Sequence, residues 1–188
     1  MKEKQASTTY TTSTAFRIAV TAIFTALVAV ATALVQIYIP ATRGNLNFGD
    51  ILIFVSALSF GPFVGGFSSG VGSAISDALT GYAYFAPFTL IIKGAEGLIA
   101  GLISNRQSKK RDIIAVILAG LEMIAGYFIA EFFGLSEGWA ALFEVPANIV
   151  QIVVGGAAGI IITIILRKRL PESWKNQTKK QKLPQLKS

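Results

Sequence analysis

The sequence predicts an all-α polytopic membrane protein, a bundle of six transmembrane helices with both termini on the cytoplasmic side. Three observations carry that prediction. Of 188 residues 53% are hydrophobic and only 14% charged, too apolar a balance for an ordinary soluble domain. The apolar residues fall into six runs separated by turn residues and charges. Basic residues gather on alternate sides of those runs. Lys2, Lys4 and Arg17 flank the first, Arg106, Lys109, Lys110 and Arg111 lie between the fourth and fifth, and Arg167 to Lys187 follow the sixth. Fifteen of the 17 basic residues thereby lie on one side, the retained, cytoplasmic one.

Residues 1–14 are polar and rich in Ser and Thr, and form a lead-in to a membrane domain over 15–169. The first span runs from Thr14 to Ile39 and ends at Pro40. Lys2 and Lys4 before it, and Ala31-Thr32-Ala33 near its end, resemble a secretory leader, but the run is too long for the apolar region of one. A loop over 41–50 precedes a short second element, Ile51–Phe60, too short to cross a bilayer unaided and stopped by Gly61-Pro62. Val64–Leu79 is the third, with Gly65, Ser69, Gly72 and Ser76 at steps of four and three that make one face smooth.

After the aromatic turn Thr80–Pro87 the fourth element runs from Phe88 to Ile103, with Gly94, Gly97 and Gly101 allowing close contact. Ile113–Phe133 is the fifth. The acidic stretch Gly134–Glu144 holds an interfacial segment around Trp139. Pro146 suits the first turn of a sixth span ending near Leu166. Residues 170–188 are a basic, lysine-rich and disordered cytoplasmic tail.

The first span carries a second message. Ala15, Ala19, Ala22, Ala26, Ala29 and Ala33 step by four and three and share one helical face. Small residues let helix backbones approach, so this ridge is a docking face for a neighbouring helix or a partner.

With neither Cys nor His, disulfides, thiolate nucleophiles, imidazole bases and His/Cys metal sites are excluded. The ionisable residues within spans become the functional candidates, because burying them in lipid is expensive. They are Asp77, Lys93, Glu96, Glu122 and Glu131, joined by the amides Asn148 and Gln151. Depth along the helices lets them converge on one outward-facing cavity. Lys93 and Glu96, three apart, either pair with each other or meet a ligand. Asn148 and Gln151 either hydrogen-bond between helices or contact that ligand. Tyr82, Tyr84 and Phe85 form an interfacial belt or stack on a ring. Asn47 and Asp50 belong to a loop that is either a tight turn with Asp50 as helix cap or a cover over the cavity.

The stretches NFGD, ALSFGPFVGG, GVGSAISDALTGYAYFAP and TLIIKGAEGLIAG, between Asn47 and Gly101, resemble the substrate-binding S components of energy-coupling factor (ECF) vitamin transporters of the riboflavin type and related families. The resemblance implies a six-helix protein of the prokaryotic cell membrane that captures a vitamin or vitamin precursor from outside and is covered by the loop after its first helix. It implies that Ala-x-x-x-Ala motifs on that helix, here Ala15/Ala19, Ala22/Ala26 and Ala29/Ala33, dock on a transmembrane coupling (T) component driven by two cytoplasmic ATPases. No phosphate-binding loop occurs in the chain, so ATP hydrolysis is expected from those partners, and no cofactor or nucleic acid is expected. Two other classes stand beside it: a small oligomeric channel or scaffold using the same smooth faces, and an intramembrane metal-dependent enzyme built on the carboxylates, which the lack of His disfavours. The candidate contacts suit a polar heterocycle such as a flavin or a pyrimidine precursor.

Overall fold

The structure is a computed structural model that describes residues 2–106 and 108–169, with side chains described from residue 14 onward. Six helices follow in order: α1 (Lys2–Leu34), α2 (Gly49–Phe60), α3 (Pro62–Leu79), α4 (Ala86–Ile103), α5 (Lys109–Ile129) and α6 (Val145–Arg169). A short antiparallel hairpin, β1 (Gln36–Ile39) and β2 (Gly44–Asn47), stands between α1 and α2. The expected tail over 170–188 lies outside the described residues.

The hairpin corrects the first span. α1 stops at Leu34, five residues before the expected Ile39, and Gln36–Ile39 instead pairs with the segment read as a loop. Val35, Ile37 and Ile39 are β-branched and alternate with other residues, a pattern that fits a pleated ribbon as well as it fits an apolar helix end. Arg43 takes a left-handed conformation, φ 56°, and closes the turn.

Among the described residues, four helical segments are long and apolar enough to cross a membrane: Thr14–Leu34, Ala86–Ile103, Lys109–Gly134 and Gly138–Arg169. α2 is excluded by length, since 12 residues rise only about 18 Å. α3 has the length, but five glycines and serines in its first half dilute its hydropathy. α3 buries one face and leaves Phe63, Phe67, Ile75 and Leu79 exposed, whereas α2 is buried among its neighbours. α2 is apolar all round and ten of its 12 residues are buried, as befits a helix surrounded by protein.

Small residues set the distances between helices. A Cβ on Gly65 of α3 would lie 2.6 Å from the Gly97 carbonyl oxygen of α4, and one on Gly70 would lie 2.5 Å from that of Leu90. One on Gly72 would meet the Thr25 carbonyl oxygen of α1 at 2.7 Å, so α3 lies tightly against α1 and α4 at once. On α6, a Cβ on Gly155 would sit 2.6 Å from Asp50 Cβ and one on Gly159 2.8 Å from Phe54 Cβ, which brings α6 onto α2. Phe54, Ala57 and Leu58 of α2, Ala100 of α4 and Ala115, Val116 and Ala119 of α5 fill the centre. The expected smooth faces of the third and fourth elements are thus internal contacts.

Gly61 alone joins α2 to α3, at φ 92°, a conformation that favours glycine, and Pro62 opens α3. Arginines close this end of the bundle. Arg106 donates to the Phe60 carbonyl oxygen at 2.9 Å and Arg111 to that of Ile103 at 2.9 Å. Arg167 of α6 reaches the Leu58 carbonyl oxygen at 2.7 Å and pairs with buried Asp112 of α5 at 2.6 Å. These guanidinium groups satisfy helix-end carbonyls that have no partner within their own helices. Burial, and the neighbouring charges of Arg167 and Arg17, lower the Arg106 pKa to about 10.

α5 ends in a turn of π-helix, Ala130–Gly134, which turns Glu131 inward to full burial. The interfacial segment expected around Trp139 is a 3-10 helix, Gly138–Phe143, with Trp139 well exposed.

Candidate binding site

At the end opposite the arginines, the hairpin covers a narrow cleft of about 20 Å³. The hairpin contributes Gly44, Asn45 and Asn47, the end of α3 contributes Asp77, and the aromatic turn and start of α4 contribute Phe85 and Thr89. Tyr127 comes from the end of α5, and Glu144, Asn148 and Gln151 from the entry into α6. Helix ends bring these residues together because α3, α5 and their connections all reach the same end of the bundle.

Five of the residues singled out in the sequence line this cleft: Asn47, Asp77, Phe85, Asn148 and Gln151. Three others sit beneath it as a buried cluster. Lys93 Nζ lies 2.5 Å from Asp50 Oδ1 and 2.9 Å from Glu96 Oε2, and all three side chains are almost fully buried. Lys93 also stands over the Tyr127 ring, 5.8 Å from its centre. Gln151 ties cluster to cover: its Nε2 donates to Asp50 Oδ1 at 3.1 Å, and its Oε1 accepts from the Asn47 backbone N–H at 2.9 Å. Of the two readings left open for Lys93 and Glu96, the ion pair between them is present, with Asp50 as a third member. Asp50 lies in the first turn of α2 without capping it. The adjacent Gly49 N–H donates instead to Asn47 Oδ1 at 3.0 Å.

Tyr82 and Tyr84 stand outside the lining. The Tyr84 hydroxyl donates to the Arg43 carbonyl oxygen at 2.7 Å and so pins the hairpin turn. Both phenols have pKa values raised, first by partial burial and then by neighbouring phenols and acids. Further ties hold the hairpin down: Gln36 donates to Thr80 Oγ1 at 3.1 Å, and buried Thr42 donates to Glu144. The Tyr127 hydroxyl and Thr89 Oγ1, 3.2 Å apart, complete one wall. Sequence reasoning left Thr89, Tyr127 and Glu144 out of the site. Two of them carried a small polar signal: Tyr127 is a tyrosine within the apolar fifth run, and Glu144 is an acid at the start of α6, two residues before Pro146.

The alanine ridge divides along its length. α1 turns Val20, Thr21, Phe24, Val28 and Thr32 to the bundle. Ala15, Ala19, Ala22 and Ala26 are exposed, whereas Ala29 and Ala33 are partly covered.

Residues 12–168 match the family described as ECF-type riboflavin transporter, S component. An uncharacterized protein of Pyrococcus woesei is 44% identical over 144 residues, which cover 76% of this chain and 96% of that one. The thiamine precursor transporter HmpT of Lactococcus lactis subsp. cremoris is 31% identical over 149 residues, covering 78% and 85% respectively. With a family match over most of its length joined to an apolar helix bundle and a covered cleft, the chain belongs to the S components of ECF-type riboflavin transporters, multi-pass substrate-binding subunits for vitamin uptake in the prokaryotic cell membrane and not enzymes.

Proposed function

We propose that this S component captures a heterocyclic vitamin or vitamin precursor from outside the cell in the cleft beneath the hairpin, and delivers it through a T component powered by two cytoplasmic ATPases. The observation that carries the reading is the cleft itself: aromatic side chains of Phe85 and Tyr127 stand with the amides of Asn47, Asn148 and Gln151 under a cover tied down at several points. Aromatic rings with a few fixed polar groups suit a flat polar ring. A riboflavin family and a relative named for a thiamine precursor agree with a heterocycle. Asn47, Asp77, Phe85, Asn148 and Gln151 contact it directly. Asp50, Lys93 and Glu96 hold the floor, and Tyr82 and Tyr84 the base of the cover.

The chain crosses the membrane six times with both termini in the cytoplasm, α2 borrowing depth from the hairpin. The charge distribution supports this, since the arginine-rich end and the basic termini then share the cytoplasmic side and the cleft opens outward. Cysteines introduced singly at Ser108 and Gly138 should label from opposite sides of intact vesicles. Labelling from one side would overturn the outward cleft.

Mass spectrometry of gently solubilised protein should find a heterocycle bound to it. Asn148→Leu should weaken its binding by about 1–3 kcal/mol, the cost of a lost buried hydrogen bond, with the melting temperature kept. Unchanged affinity in that variant would move the site elsewhere.

A further inference from the structure

The arginine end of the bundle carries more positive charge than its acids offset. Arg17 of α1, Arg106 in the connection between α4 and α5, and Arg167 of α6 lie close enough for the first and third to repel the charge on Arg106. Among the described residues Asp112 is the one carboxylate at this end, and Arg167 engages both of its oxygens, at 2.6 and 3.1 Å. Arg106 donates to the Phe60 carbonyl oxygen, but neither it nor Arg17 has an ion-pair partner among the described residues. Its backbone is held at φ 59°, a left-handed conformation uncommon for an arginine. A half-buried guanidinium kept there against two like charges is a costly arrangement unless an anion joins it.

Both unpaired cations stand at the start of α3. The Arg106 guanidinium packs on Gly61, where a Cβ would run into it, and that of Arg17 lies over the Phe63 ring, 5.4 Å from its centre. Phe63 stacks on Phe67, one turn further along α3, with ring centres 6.3 Å apart, and both rings are more than half exposed. A cationic rim therefore meets an apolar strip that runs from the end of the bundle towards its middle.

We propose that this corner binds the phosphodiester headgroup of an anionic membrane lipid, with Arg17 and Arg106 on the phosphate and an acyl chain along Phe63 and Phe67. Guanidinium groups match phosphate oxygens in pairs and are weakly hydrated, which suits a site at the edge of the hydrocarbon. The ends of membrane-crossing helices lie at headgroup depth, where a basic pocket between helices meets lipid phosphate directly. A zwitterionic lipid brings an ammonium group beside its phosphate, which the surplus of arginine charge disfavours, and free phosphate has no chain to lay on the rings. The bound lipid ties α1 to α3 and to the connection between α4 and α5.

The test uses the full chain, delipidated in a neutral detergent and titrated with phosphatidylglycerol, phosphatidylcholine or inorganic phosphate. Native mass spectrometry counts bound lipid while Tm is followed in parallel. Phosphatidylglycerol should bind about tenfold or more tighter than phosphatidylcholine and raise Tm, with inorganic phosphate leaving Tm unchanged. Arg17→Gln should cut that preference by about fivefold, the share of one arginine near a charged membrane surface. Its Tm in phosphatidylcholine should stay as in the parent, because Arg17 is exposed and lies over an exposed ring. Lys110→Gln removes an exposed cation from the same end and should leave the preference intact. Equal binding of the two lipids, or an Arg17→Gln protein that keeps the parent's preference, would overturn the site. So would an equal loss in Lys110→Gln, which would reduce the attraction to diffuse surface charge. A matching rise in Tm with inorganic phosphate would make the occupant a free anion and overturn the lipid.

Discussion

Lys93→Ala is expected to cost about 3–5 kcal/mol of stability, because it leaves Asp50 and Glu96 buried without their counter-charge. Asp50 Oδ2 and Glu96 Oε1 already lack hydrogen-bond partners, so the variant would have little with which to compensate. Thermal unfolding in detergent should show a large fall in Tm. The triple variant Lys93→Met, Asp50→Asn, Glu96→Gln should regain most of it, since removing a whole buried ionic cluster is far less costly than breaking it. A Lys93→Ala protein with unchanged Tm and affinity reduced by about 1–3 kcal/mol would instead make Lys93 a ligand contact.

Ala22→Leu is expected to abolish uptake while leaving the isolated chain able to bind its ligand. Ala22 is exposed, on the side of α1 turned away from Val20, Phe24 and Val28, so a leucine there meets no neighbour within the bundle. Its cost to the fold should stay within about 0.5 kcal/mol. Against a partner helix the added bulk prevents close approach of the backbones. Uptake by cells that supply the coupling components, measured beside ligand binding by the purified chain, separates the two. If binding and folding fail together, the ridge belongs to the bundle's own packing.

The helices were legible because lipid-facing apolar runs bounded by Gly, Pro and charge leave little choice of structure. The end of α1 was not. Val35, Ile37 and Ile39 continue an apolar run without a break, and only their pairing with Gly44–Asn47, a contact absent from any local window, makes them a strand. The same limit applies to the site. Asp77, Asn148 and Gln151 stood out as polar residues in apolar surroundings, and Lys93 with Glu96 by their spacing. That Asp50 completes the pair depends on α2 meeting α4 across 43 positions of sequence. Tyr127 was hidden because a tyrosine in an apolar helix passes for packing, and Glu144 because an acid in a connecting segment passes for a solvated one. The ridge showed the reverse limit: periodicity marked six alanines alike, and only the placement of α1 against α3 distinguishes the exposed four from the partly covered two.

The short α2 has a consequence for how a binding site is encoded in such a chain. Its lower end is level with its neighbours, since Arg106 and Arg167 hold its last carbonyls beside the ends of α4 and α5. It has 12 residues where α4 has 18, so it falls short at the upper end by about 9 Å. The hairpin and the cleft take up that depth. The receptacle is therefore written in the chain as an omission, a missing turn and a half of helix with a ribbon folded over the gap. Its depth is set by where α2 begins, while the side chains around the rim decide only what fits.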